Sequence, residues 1–229
     1  MNAVAIVPAF NEGRSIADVV TGLHGIVSHV LIVDDGSTDQ TAARARAAGA
    51  EVLTRGTNTG KGSAIRAGLA HVAEPPYVKP RPFTHVLLLD GDMQHRPREA
   101  SRLLDAAQRT GADLVLGERE FSREGMPAAR YHANRIGSRV LSWFVGAPVQ
   151  DTQCGFRVCR LDALRDLPLR ARGYEIETEM LVKLRRRGAR LASVPITAVY
   201  AAERSKLRPV RDTTRTCFLA VYYQFLERI

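Results

Sequence analysis

Short apolar runs alternate along the chain with longer stretches whose apolar residues recur every three or four positions. Residues 3–9 form the first run, and Ile16, Val19, Val20 and Leu23 follow at helical spacing within 13–23. Residues 30–33 form a second run that reads as a buried strand. An Ala-rich helix then extends to Ala48, with Ser37 or Thr38 available to cap it and Gly49 to stop it. Residues 51–54 read as a short third strand. A helix over 63–73 follows the glycine-rich loop 55–62. The fourth run is 86–89. Pro97 opens a helix reaching Arg109, and 113–117 is the next strand. Further on, the pattern predicts helices over 136–145 and 175–187 and a strand entered through 149–158. A last strand over 191–200 is marked as an edge by Pro195. Nothing repeats at solenoid period. This alternation predicts an α/β fold: one Rossmann-like domain over 1–208, with a mostly parallel central sheet flanked by helices.

Three stretches interrupt the alternation. Residues 75–82 are proline-rich and read as a stiff surface connection, and 118–135 is a charged segment that reads as a mobile loop. The tail begins with Arg208, Arg211 and Arg215 and ends in Phe218, Leu219, Val221, Tyr222, Tyr223, Phe225 and Leu226. It predicts an amphipathic helix over 209–229, packed on the domain, on a second subunit or at a membrane surface.

The chemistry concentrates where apolar runs end. Residues 86–89 stop abruptly at Asp90-Gly-Asp92, with Gln94 close behind. Two carboxylates two residues apart face the same side, and they repel unless a cation lies between them. Gly91 lets a ligand approach the backbone closely. An all-oxygen set of Asp90, Asp92 and Gln94 suits Mg²⁺ or Mn²⁺. The plainer alternative is a strand ending in an Asp-Gly turn. The loop 55–62 resembles a Walker A loop, but its spacing is one residue short and Gly62 stands where that motif needs Ser or Thr. Lys61, near a helix N-terminus, is either an anion contact or a solvated loop lysine. In an open parallel sheet, ligands bind beyond the carboxyl ends of the strands, where Glu12, Asp35, Asp90, Asp92 and Arg119 all fall. Glu175, Glu177 and Glu179 crowd the start of one helix, as the helix dipole favours.

Charge narrows the class of partner. A net charge of +9 favours an anionic one. Aromatics at 6% argue against single-strand stacking, and acids at the sheet edge would repel a nucleic acid, so none is expected. Three cysteines without ligand spacing read as reduced thiols of a cytoplasmic protein. The first residues lack the basic start of a signal peptide. No apolar run approaches the roughly 18 residues of a membrane span.

Five motifs occur in order: Pro8-Ala-Phe-Asn-Glu12, Val33-Asp-Asp-Gly-Ser-Thr-Asp39, Asp90-Gly-Asp-Met-Gln-His95, Asp151-Thr-Gln-Cys-Gly-Phe-Arg157 and Ser205-Lys-Leu-Arg208. Together they resemble the family 2 inverting glycosyltransferases of GT-A fold, in the branch of dolichyl-phosphate mannose synthases and polyprenyl-phosphate glycosyltransferases. The resemblance covers nearly the whole chain. It implies a nucleotide-sugar donor, GDP-mannose or UDP-glucose, with base and ribose held by Pro8, Phe10, Glu12, Val33 and Asp35. It implies that Asp90, Asp92 and Gln94 ligate the metal. It also implies that Arg119, Lys206 and Arg135 lie near the diphosphate or acceptor phosphate. Asp151 matches the acid opening the acceptor-side motif.

The expected acceptor is a polyprenyl or dolichyl phosphate, already anionic near neutral pH, so no general base is required. A hydroxyl acceptor would need one, and Asp151 is the candidate, with a loop-capping carboxylate as the plainer alternative. Members of this branch often carry transmembrane helices after the catalytic domain, and this chain ends at Ile229 without one. Contact with the cytoplasmic face of a membrane would then come from basic surface residues. A homodimer through the tail is a further possibility. A nucleotidyltransferase would place its glycine-rich loop directly after the first strand, where Pro8-Ala-Phe-Asn-Glu12 stands instead.

Overall fold

A computed structural model describes residues 1–74, 82–119 and 151–197, with 139, 142, 146, 149, 218, 219 and 221–223. The first half runs β1 (Ala3–Ala9), α1 (Ile16–Leu23), β2 (His29–Asp34), α2 (Thr41–Ala47), β3 (Glu51–Thr54), α3 (Lys61–Val72) and β4 (His85–Leu88). A 3₁₀ turn, Pro97–Glu99, leads into α4 (Ala100–Thr110), followed by β5 (Leu114–Arg119). Then come β6 (Arg157–Arg160), α5 (Leu161–Leu164), α6 (Ile176–Arg186) and β7 (Leu191–Ile196).

The seven strands form one sheet in the order β3-β2-β1-β4-β6-β5-β7. β1 pairs in parallel with β2 and β4, β2 with β3, and β5 with β7. β6 alone among the described strands runs antiparallel, between β4 and β5. The expected mostly parallel α/β sheet is therefore what forms. Alternation along β1 builds its two faces: Ala3, Ala5, Val7 and Ala9 meet α1 and α4, while Val4 and Ile6 meet α3 and α6. Both faces are sealed, which is why the parallel strands read as unbroken apolar runs.

The reversal of β6 positions the site. Arg157 pairs with Leu88, so the chain preceding β6 arrives at the carboxyl end of β4. That brings the 151–156 segment beside Asp90.

Local boundaries differ where side chains find partners that sequence does not reveal. α2 begins at Thr41, and Asp39 rather than Ser37 or Thr38 accepts its first backbone N–H, at 2.9 Å. The Ser37 hydroxyl instead accepts from the Asn11 N–H at 2.9 Å, tying the β2–α2 loop to the β1–α1 loop. α3 starts at Lys61, which places that lysine in the helix rather than in the loop. β7 lies at the sheet edge and carries Pro195, as its proline requires.

The stretches 75–81 and 120–135 lie outside the described residues, as does most of 136–145, of which Arg139 and Ser142 are helical. In the tail, Tyr223 is buried beneath α6. The Lys183 ammonium lies 4.9 Å from its ring centroid, and Arg186 donates to its carbonyl at 2.6 Å. Phe218 is exposed on the same segment. Among the described residues, no helix is long and apolar enough to cross a membrane.

Candidate active site

A cavity of about 430 Å³ opens beyond the carboxyl ends of β1, β2 and β4. β1 supplies Pro8, Ala9 and Phe10, the loop after it Glu12, and the end of β2 Asp35. The turn after β4 supplies Asp90, Gly91 and Asp92. The N-terminus of α3 closes one wall with Gly60, Lys61 and Ala64, and Gly173 with Tyr174 closes another ahead of α6. Eight of the residues singled out from sequence thus share one wall system: Pro8, Phe10, Glu12, Asp35, Lys61, Asp90, Gly91 and Asp92.

Others are placed differently. Val33 is fully buried in the hydrophobic layer with Ile6 and Leu31, so its side chain contributes to the core rather than to the cavity. Gln94 does not border the cavity. Its backbone N–H donates to Asp92 Oδ1 at 3.0 Å, which holds the Asp-Gly-Asp turn in shape. Arg119 and Asp151 form a buried bidentate pair, with Arg119 Nε 2.5 Å from Oδ2 and its second nitrogen 2.9 Å from Oδ1. Both oxygens of Asp151 are thereby engaged by a guanidinium in a residue only 3% exposed. A general base needs an accessible lone pair, and here both oxygens face the Arg119 guanidinium. Arg135 and Lys206 lie outside the described residues.

Asp35 is occupied as well. It accepts from Arg55 at 3.0 Å, from the Thr59 N–H at 2.9 Å and from the Gly60 N–H at 2.7 Å. Its carboxylate shapes the glycine-rich loop that forms the cavity rim.

Lys61 is not solvated. Its ammonium lies 2.5 Å from Asp90 Oδ1 and 2.6 Å from Glu177 Oε1. Burial alone would lower the lysine pKa, but the two carboxylates override that and raise it, so Lys61 stays charged. Burial likewise opposes ionisation of Asp90, yet the Lys61 ammonium holds that carboxyl below its ordinary value. Asp92 goes the other way: burial and the neighbouring Asp90 charge both raise it. A carboxylate under that pressure is one that a divalent cation would relieve. Two aspartates opening on a cavity offer hard oxygen donors, which fit Mg²⁺ or Mn²⁺ better than a softer ion. Among the described residues no group of three or more His, Cys, Asp or Glu surrounds a metal position, so protein oxygens alone would not complete its shell.

Gly155, in the segment preceding β6, shows how tightly this centre is closed. A Cβ there would stand 2.6 Å from Asp90 Oδ2 and 2.7 Å from Lys61 Nζ, so any larger residue would have to displace the Asp90–Lys61 pair. Behind it, His95 and Cys154 are buried, and burial lowers the imidazole to about 4 and pushes the thiol up to about 12. Cys159 is also a buried free thiol, and Cys217 lies outside the described residues.

The sequence does not single out Tyr174, on the cavity wall, or Glu177, behind Lys61. Tyr174, half exposed at the mouth, carries no periodic signal. Glu177 fits a helix-dipole cluster, yet it shares a stripe with Met180, Leu181 and Leu184, all buried. An acid on an apolar stripe was the available signal.

The glycosyl transferase family 2 model matches residues 4–167, which contain nearly the whole wall system. This chain belongs to that family. Glycosyltransferase AglJ of Haloferax volcanii is 33% identical to it over 219 residues, 92% of this chain and 68% of that protein. An undecaprenyl-phosphate mannosyltransferase of Micrococcus luteus is 34% identical over 212 residues, 87% of this chain and 84% of that one. Among solved structures, glucosyl-3-phosphoglycerate synthase of Mycobacterium tuberculosis, in complex with Mn²⁺, uridine diphosphate and glucosyl-3-phosphoglycerate, matches at TM-score 0.71. It is 24% identical, with 97% of this chain and 78% of that chain covered. The family 2 glycosyltransferase therefore has the GT-A fold that its motifs led us to expect.

Proposed function

We propose that this glycosyltransferase moves a hexose, mannose or glucose, from a nucleoside-diphosphate sugar to a polyprenyl phosphate, with Mg²⁺ or Mn²⁺ at Asp90 and Asp92. The observation that carries this reading is the paired acid turn on the cavity wall, with Asp92 raised by burial and by its neighbour. The M. luteus relative is named for a polyprenyl-phosphate acceptor, and the M. tuberculosis neighbour was solved with Mn²⁺ and a nucleoside diphosphate.

In this reading, Pro8, Phe10 and Glu12 line the pocket for the nucleoside, and the loop held by Asp35 closes over it. A bound divalent cation would stabilise, as a Lewis acid, the charge developing on the leaving diphosphate. The Lys61 ammonium, held between Asp90 and Glu177, lies on the same wall. A phosphate acceptor is ionised at neutral pH, its second pKa being about 6, and attacks without losing a proton. The buried pairing of Asp151 with Arg119 supports that acceptor over a hydroxyl. The basic balance of the chain would draw it to the anionic surface where such lipids reside.

The test is a thermal-shift panel of GDP, UDP, GDP-mannose and UDP-glucose, each with and without Mn²⁺, followed by transfer assays to undecaprenyl phosphate. A metal-dependent shift for one base, then product only with the lipid phosphate, is the expected result. Product with an alcohol acceptor alone would overturn the acceptor. No shift with any nucleotide would overturn the donor site.

A further inference from the structure

Glu177 sits in the first turn of α6 with 4% of its surface exposed. Both carboxyl oxygens are shut off from solvent, and among the described residues no donor other than the Lys61 ammonium is recorded for them. Its close cationic contact is Lys61, at 2.6 Å. A buried carboxylate is costly to keep unless a cation stays beside it. Its position is fixed from behind: Arg157, itself buried, donates to the Glu177 carbonyl at 2.9 Å and to the Cys154 carbonyl at 3.1 Å. Three elements thus converge on one ammonium, with Lys61 from α3, Asp90 from the end of β4 and Glu177 from α6.

We infer that Glu177 is a positioning residue for the donor site: its buried carboxylate anchors the Lys61 ammonium against Asp90 and contributes the negative charge that draws a divalent cation to Asp90 and Asp92. This inference rests on the nucleotide-sugar reading of the cavity. The charge balance makes the case. With all groups ionised, one ammonium among three carboxylates leaves two negative charges, which a dication matches. Without Glu177, one remains, and Lys61 is held by Asp90 alone. The ammonium would then neutralise the first acid of the turn and be free to follow a phosphate. Binding of the metal-free nucleotide would strengthen while the gain from metal shrinks. A residue that only filled space in α6 would have no such effect.

The experiment compares the wild-type chain with Glu177→Gln, using Mn²⁺ titrations of thermal protection by whichever of GDP and UDP protects the wild type. Circular dichroism and the ligand-free melting temperature monitor the fold. Glu177→Gln should raise the Mn²⁺ concentration for half-maximal protection about tenfold, the order expected for losing one nearby charge. A folded Glu177→Gln protein with wild-type half-saturation overturns the inference, even if its melting temperature falls. Should Glu177→Gln not fold, Glu177→Asp replaces it, keeping the charge but withdrawing it by one methylene. A raised half-saturation then supports the positioning role, and an unchanged one overturns it. If the wild-type chain itself gains no metal-dependent protection, the donor-site reading falls and this inference falls with it.

Discussion

Asp90 and Asp92 are two residues apart, yet their environments push them in opposite directions. Lys61 keeps Asp90 ionised against its burial, whereas Asp92 has burial and a like charge against it. Ionised Asp92 therefore costs the folded state stability at neutral pH, as strained functional groups commonly do. Asp92→Asn should hold or raise the melting temperature while lowering metal-dependent kcat/KM by at least about 100-fold, since metal stabilisation is worth several kcal/mol. A folded variant with full activity would refute Asp92 as a metal ligand. Asp151 sits in a matched pair, with both oxygens facing the Arg119 guanidinium. Asp151→Asn should lower stability by about 3 kcal/mol in urea denaturation, the scale for breaking a buried pair. Turnover per folded molecule with a polyprenyl phosphate should fall by less than the roughly 100-fold that a general base supplies.

Among the elements, β6 and α6 do most to assemble the cavity. β6 runs against its neighbours and so delivers Gly155 to Asp90 and Lys61. Gly155→Ala should cost about 1–3 kcal/mol through overpacking. It should also weaken Mn²⁺-dependent nucleotide protection, because the new methyl group displaces the pair itself. A titration matching wild type would show that the backbone yields there. α6 carries a second buried charge pair: Lys183 donates to Glu179 at 2.7 Å, and Glu179 accepts from the Ala171 N–H at 2.7 Å. That pair secures the 168–174 loop, whose end forms the cavity wall at Gly173 and Tyr174. The dipole explanation for acids at this helix start therefore accounts for little of what Glu177 and Glu179 do.

At the scale of the whole molecule, His95 sets an acid limit. Burial depresses its imidazole to about 4, from an ordinary 6.5, and its Nδ1 has no hydrogen-bond partner among the described residues. The folded state thus favours neutral His95. The stability this lends is fully present above pH 6.5 and is lost as pH falls toward 4. The loss amounts to about 3 kcal/mol by linkage. Urea denaturation across that window should show the decline, and His95→Gln should flatten it. An unchanged slope in the variant would assign the decline to other groups.

The chain's local order was legible from its own pattern. β1 follows from its apolar run, because a strand sealed on both faces must be apolar throughout, and the edge position of β7 follows from its proline. The acids at the ends of β2 and β4 were legible for the same reason: a buried run can end in charge only at the rim of the sheet. Partnership between distant side chains was not legible. Asp39 capping α2, Val33 facing the core and Asp151 closed by Arg119 depend on what packs against each residue, and periodicity carries no such information. The antiparallel direction of β6 is of the same kind, since an apolar strand reads alike in either direction. Sequence alone determined that acids, glycines and a lysine gather at one sheet edge. Only the tertiary structure decided which carboxylates meet Lys61, because ion pairing depends on distances between separate elements, from α3 to the end of β4 and to the far-off α6.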